Sequence, residues 1–251
     1  MVGVSYVRGM RSELHHQAFV AAITAHRDAL RPLTTFSIPG PDCGEMSIPG
    51  ELDVPISAYT QSWHAHTGFT YSVGGYLERR SIYAGDQFTD GDEPRTIHLG
   101  VDVGGPAGTP VFLPLDGIIH SLADNDLPYD YGPTIITRHE LDGVVFQLLF
   151  GHLSRADLEG LAPGRRVEAG WQVGRFGAEH ENGGWHPHLH LQVVLDMEGK
   201  TGDYPGVCRA GEVDRFRWNC PNPRWVIGIN RSPKTPATSR RGRAAGWGWN
   251  T

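Results

Sequence analysis

The stretch HLHLQVVLD, residues 188–196, carries the pattern that decides the fold. Residues two apart on a strand point to the same face. His188 and His190 therefore project together, while Leu189 and Leu191 enter the opposite, packed face. Two imidazoles on an otherwise apolar strand are costly unless something engages them. Outward from this stretch, β-prone runs recur between turn signals: TPVFLPL (109–115), GIIHSL (117–122), TIITRH (134–139), VVFQLLFGHL (144–153) and RRVEAGWQVGRFG (165–177). Leu141-Asp142-Gly143 reads as a hairpin turn and Ala162-Pro163-Gly164 as a tight reversal. Short strands punctuated this way predict a mainly β fold, an antiparallel sandwich or barrel.

The flanks read differently. Residues 12–31 predict a helix capped by Ser12, with Leu14, Phe19, Ala22, Ile23 and Leu30 along one face and Pro32 as its stop. From 32 to 95 the text is rich in Pro, Gly and aromatic residues without a clear period, and reads as an irregular region packed on the main domain. The expected organisation is a flanking region over 1–95, a β domain over 96–230 and a basic, disordered tail over 231–251.

Composition narrows the function classes. The chain has 251 residues, 39% hydrophobic and 20% charged, enough for a packed core. Its net charge is −6, and the five cations of the acid-free tail leave −11 on the rest, which argues against nucleic acid as a partner. No apolar run approaches the roughly 20 residues that a membrane helix needs. The opening MVGVSYVRGMRSE lacks the pattern of a signal peptide, which favours a cytoplasmic location for the chain as given. Cys43, Cys208 and Cys220 form no C-x-x-C pair and read as reduced thiols.

Histidine is the unusual residue, with 13 in the chain. His98 and Asp102 lie four apart, and the glycines around them disfavour a helix, yet a strand-to-loop bend lets both reach one cation. His152 ends the apolar run 144–150, and His188 and His190 open another strand. His64-Ala-His66 has the spacing of a metal pair without a third ligand and reads as structural or exposed; His120 and His139 sit on predicted strands, and His139 reads as structural.

In this order, His-x-x-x-Asp, a strand ending in His-Leu-Ser and a His-x-His strand resemble the lysostaphin-like, or LytM-type, zinc endopeptidases. HLGVDVGGPAGTPVFLPLDGIIHS (98–121) and GLAPGRRVEAGWQVGRFG (160–177) extend the resemblance across roughly residues 95–196. The resemblance implies a small antiparallel β barrel-sandwich and one zinc ion per chain, held by His98, Asp102 and His190. It implies His152 and His188 as catalytic acid/base groups, and a peptide or peptidoglycan fragment as substrate. Three protein ligands leave a fourth position open, as in catalytic zinc sites. No H-E-x-x-H supplies a glutamate base, so the two histidines must move the protons. The rival reading is a non-catalytic LytM-type binding or regulatory domain.

Two departures concern the groove. AEHENGGWHPHLH (178–190) is longer than the family's usual loop and adds His186, and Phe150-Gly151 stands where a tyrosine often occurs. Pro187 places His186 before the strand, so His186 is expected to border the groove beside Trp185 and not to bind the metal. Trp185, Tyr129 and Tyr131 are candidate groove walls, with packing in the core as the alternative reading.

Overall fold

The computed structural model describes residues 2–83, 88–89 and 93–227, with side chains from residue 12 onward. The tail expected over 231–251 lies outside the described residues. Twelve strands are seen among those described: β1 (Cys43–Glu45), β2 (Tyr71–Gly74), β3 (Ile97–His98), β4 (Val101–Gly104), β5 (Pro110–Phe112), β6 (Gly117–Asn125), β7 (Gly132–Leu141), β8 (Val144–Gly151), β9 (Arg166–Val167), β10 (Gln172–Arg175), β11 (His188–Val194) and β12 (Val207–Cys208). Four helices accompany them: α1 (Val2–Ala25), α2 (Ile56–Thr67), α3 (Val213–Asn219) and α4 (Arg224–Ile227).

Eight strands form one open sheet in the order β1-β2-β4-β11-β8-β7-β6-β9, and the pairs β10-β5 and β12-β3 stand beside it. The mainly β expectation holds, with an open sheet in place of a closed barrel. Turn chemistry sets the long hairpin β7–β8: Asp142 at φ 51° and Gly143 at φ 78° match the twist of the strands they join. Strand β11 lies antiparallel between β4 and β8, and the packing follows its alternation. Leu189, Leu191 and Val193 face one core with Val101, Val103, Leu148 and Phe150, and Phe19 and Ile23 of α1 join that core. The Phe19 and Phe146 rings meet edge to face at 5.0 Å between centroids. Val194 turns to a second core with Leu99, Ile136, Leu149, Tyr204 and Phe216. Both faces are covered, so the histidine row lies between two packed layers.

The N-terminal region departs from its reading. The helix spans Val2–Ala25 and not 12–31. Ser12 lies within it, because a capping residue favours a helix start without stopping a helix that already runs through it. The C-terminal end comes early: a short 3-10 turn, Arg27–Ala29, follows, and Leu30 is extended at ψ 131°. Phe19, Ala22 and Ile23 are buried as expected, but Leu14 is exposed. The region after it is not irregular throughout. Strands β1 and β2 pair parallel with each other, and β2 pairs with β4, so this segment extends the main sheet by two strands. Helix α2 carries His64 and His66; residues two apart on a helix do not face each other, so the pair cannot share a cation.

Candidate metal centre and active site

Register explains how residues 98 to 190 converge. His190 lies opposite Asp102 on one side and Gly151 on the other, and Gly74 of β2 lies opposite Asp102. Directly opposed residues on neighbouring strands bring their side chains together. His98 precedes this row in β3, and Gly100 supplies the room: a Cβ there would meet the His190 ring at 2.5 Å. The glycine between His98 and Asp102 thus makes space for the third member.

Three atoms define the centre. His98 Nε2 lies 2.8 Å from His190 Nδ1, and Asp102 Oδ1 lies 3.3 Å from each. The proton positions follow from the opposite sides of the rings. His98 Nδ1 is 3.0 Å from the Gly75 carbonyl, which can only accept, so Nδ1 carries the proton. Gln192 Nε2 donates to the Pro205 carbonyl at 3.1 Å and points toward Cys220 Sγ, which turns Gln192 Oε1 toward His190. His190 Nε2 donates to that oxygen at 2.9 Å. Neutral imidazole holds a single proton, so His98 Nε2 and His190 Nδ1 face each other with lone pairs.

Asp102 completes the set. Its Oδ2 accepts from Arg80 at 2.6 Å, whereas its Oδ1 is buried without a hydrogen-bond partner. Burial pushes this carboxyl upward, but the Arg80 guanidinium bound at Oδ2 holds it well below the usual range, so it is ionised. Burial, with the Arg80 charge, lowers His98 to about 4. Two lone pairs and an orphaned carboxylate oxygen at these separations repel one another unless a cation joins them. The donor set, two imidazole nitrogens and one carboxylate oxygen, suits zinc. His98, Asp102 and His190 are the group among the described residues that could hold a metal ion.

His152 and His188 stand beside this group with their rings 4.3 Å apart. His152 Nδ1 donates to the Asn182 carbonyl at 2.9 Å, and His188 Nδ1 donates to the His186 carbonyl at 2.7 Å. Each therefore presents an unprotonated Nε2; that of His188 is 3.9 Å from Asp102 Oδ1. Desolvation, then His188 and His190, pushes His152 well below its ordinary pKa, and desolvation also lowers His188. Both carbonyl partners come from the long loop before β11. Asn182 braces it, donating to the Gly177 and Trp185 carbonyls at 3.0 Å each. The loop before β11 thus orients the two histidines.

The five histidine and aspartate positions line one cleft of about 200 Å³. Trp185, Tyr129, Tyr131 and His186 line it too, while Met46, Ile48, Ile56 and Tyr83 come from the N-terminal region. His186 precedes β11 and lies outside the metal-competent group, and burial, with the neighbouring His188 and His64, lowers its pKa to about 4. His139 sits apart, donating to the Asp116 carbonyl and accepting from Thr137, a structural place. The three cysteines are free and buried.

Sequence reasoning missed Arg80 and Gly75, which touch the centre from before residue 96 and belong to no spaced motif. Gln192 was within reach of it, because it shares a strand face with His188 and His190.

Comparison with known proteins bears on this site. No curated protein matches the chain. Among solved structures, the catalytic domain of the antimicrobial peptidase lysostaphin from Staphylococcus simulans is 23% identical, with a TM-score of 0.39, and the match covers 61% of this chain and 96% of that one. The prophage-encoded M23 protein EnpA from Enterococcus faecalis, as a variant catalytic domain, is 21% identical, with a TM-score of 0.35, covering 53% and 88%. A zinc-containing peptidase from Vibrio cholerae is 25% identical, with a TM-score of 0.32, covering 39% and 27%. Residues 96–201 match the model of peptidase family M23, and they contain all five of the residues gathered at the cleft. Across that segment the chain is similar to peptidase family M23.

Proposed function

We propose that the chain is a zinc-dependent endopeptidase that hydrolyses peptide bonds in peptidoglycan-type peptides, with His98, Asp102 and His190 as metal ligands and His152 and His188 as acid/base groups. The observation that carries the reading is the orphaned Asp102 Oδ1, buried within 3.3 Å of two imidazole nitrogens that have no proton between them. When bound, zinc supplies Lewis acidity toward a carbonyl and lowers the pKa of water to near neutrality.

The chain's own residues supply the rest. His152 and His188 enter the reaction neutral, each with its proton fixed on Nδ1, so each can accept a proton at Nε2. A proton taken up there can be returned to the leaving amine, as hydrolysis requires. The hydrogen bonds to Asn182 and His186 hold both rings through that exchange. Trp185 and Tyr129 on one side, with Ile48 and Ile56 from the N-terminal region, give the cleft walls able to exclude water from a bound peptide.

The test is to incubate the full chain with muropeptides and count new amino termini, before and after chelation and again after zinc is restored. The expected result is release that stops on chelation and returns with zinc. Peptide binding without new termini under any condition would assign the chain to the non-catalytic class.

A further inference from the structure

The segment that matches the peptidase family does not enclose its own metal centre. Two contacts to the ligands come from residues 75–80, upstream of the match at 96. The Gly75 carbonyl accepts from His98 Nδ1 at 3.0 Å, and Arg80 donates to Asp102 Oδ2 at 2.6 Å. Arg80 is 3% exposed, so its charge is desolvated and must be answered by partners. It is answered twice: its Nε donates to Glu78 Oε2 at 2.7 Å while its other arm holds Asp102. The Tyr83 hydroxyl lies 3.2 Å from the same guanidinium nitrogen that holds Asp102. Glu78 is tied in turn to the chain after β1, accepting from Ser47 Oγ and, at 2.9 Å, from the Ile48 amide.

We infer that Arg80 is a positioning residue for the metal centre, clamping Asp102 Oδ2 so that Oδ1 alone is presented to a divalent cation. The inference rests on the metal-site reading above and adds a residue outside the family segment. A guanidinium fork is suited to bridging two carboxylates, and an ammonium has no planar fork to reach both. With Oδ2 occupied, Asp102 ligates through one oxygen and its torsion is fixed before the cation arrives. Partners of ligating groups commonly contribute 10–100-fold in metal affinity. Glu78 offsets the Arg80 charge, so the clamp orients Asp102 without adding net positive charge beside the cation.

The test is zinc affinity measured on the full chain by competition with a chromophoric chelator, with the melting temperature of the metal-free protein as a parallel readout. Arg80→Met should weaken zinc binding by about 10–100-fold. Arg80→Lys, which keeps charge and bulk, should recover part of that loss, and it carries the test if Arg80→Met does not fold. Glu78→Gln leaves the Asp102 contact in place and should weaken binding less than Arg80→Met does. Folded Arg80→Met or Arg80→Lys protein with wild-type zinc affinity would overturn the assignment. Failure of the wild-type chain itself to bind zinc would instead sink the metal-site reading on which it rests.

Discussion

Residues 96–201 and the segment before them were built by different rules. In the former, alternation and turn residues act locally: Asp142-Gly143 closes β7–β8, and the His-Leu-His-Leu pattern of β11 sends each side chain to its own layer. In the latter, β1 and β2 have three and four residues, and β2 finds its place by pairing with β4 of the main sheet. Strand content there comes from partners and not from period, so it does not show in the text. Yet the less legible region supplies Arg80 and the Gly75 carbonyl to the candidate metal centre. A site can be spelled in one segment and held in shape by another.

The largest expected effect separates chemistry from scaffold inside the family segment. His152→Ala and His188→Ala should each keep the metal and lose turnover by about 10²–10⁴-fold, and the double variant should lose less than the product. Steady-state rates with zinc content measured on the same samples check this. Near-full activity in either zinc-loaded variant would remove that residue from the mechanism.

A second comparison sets His139, a histidine with a structural role, against those at the cleft. Burial lowers its pKa from 6.5 to about 4, against weaker opposing help from the Asp116 carbonyl. Above pH 6.5 the ring is neutral in both folded and unfolded chains and contributes no slope. As pH falls from 6.5 to 4 the unfolded chain alone takes the proton, so stability falls, by up to about 3 kcal/mol below pH 4. Denaturant midpoints from pH 7 to 4 should therefore drop more steeply in the wild type than in His139→Gln. Parallel slopes would show that His139 is not the buried neutral group described.

A pair of glycine substitutions sharpens the contrast between the two regions. Gly160 (φ 70°) and Gly75 (φ 101°) both hold positive φ, but a Cβ at Gly160 meets nothing within 4 Å. At Gly75 it would meet Arg80 Nη2 at 2.0 Å, and Arg80 is held by Glu78 and Asp102 and cannot step aside. Gly160→Ala should cost about 1–2 kcal/mol from backbone strain alone. Gly75→Ala should cost a further 1–3 kcal/mol, roughly, and should also weaken zinc binding. Chemical denaturation and chelator competition on both variants check it; equal losses would mean that the upstream segment does not bear on the centre.

What the sequence made legible follows the same division. The strands over 109–196, the hairpin turn and the place of His186 before β11 follow from periods and breakers that act over a few residues. The ends of α1 do not, because Ser12 as a cap and Pro32 as a stop state preferences that neighbouring residues override. Motif order implies the convergence of His98, Asp102 and His190, and register explains it: three strands bring His98 of β3 together with the opposed residues Asp102 and His190. Arg80 carried no signal, since the second of two adjacent arginines, outside any spaced motif, reveals its partner only when β2 docks beside β4.

The central claim is that a divalent cation belongs between His98, Asp102 and His190. Elemental analysis of the purified full chain, beside Asp102→Ala of matched far-UV circular dichroism, tests it directly. The account predicts close to one zinc per wild-type chain and a small fraction of that in Asp102→Ala, because two imidazoles alone hold the ion poorly. Equal zinc in the two proteins, or none in a folded wild-type chain, would contradict it.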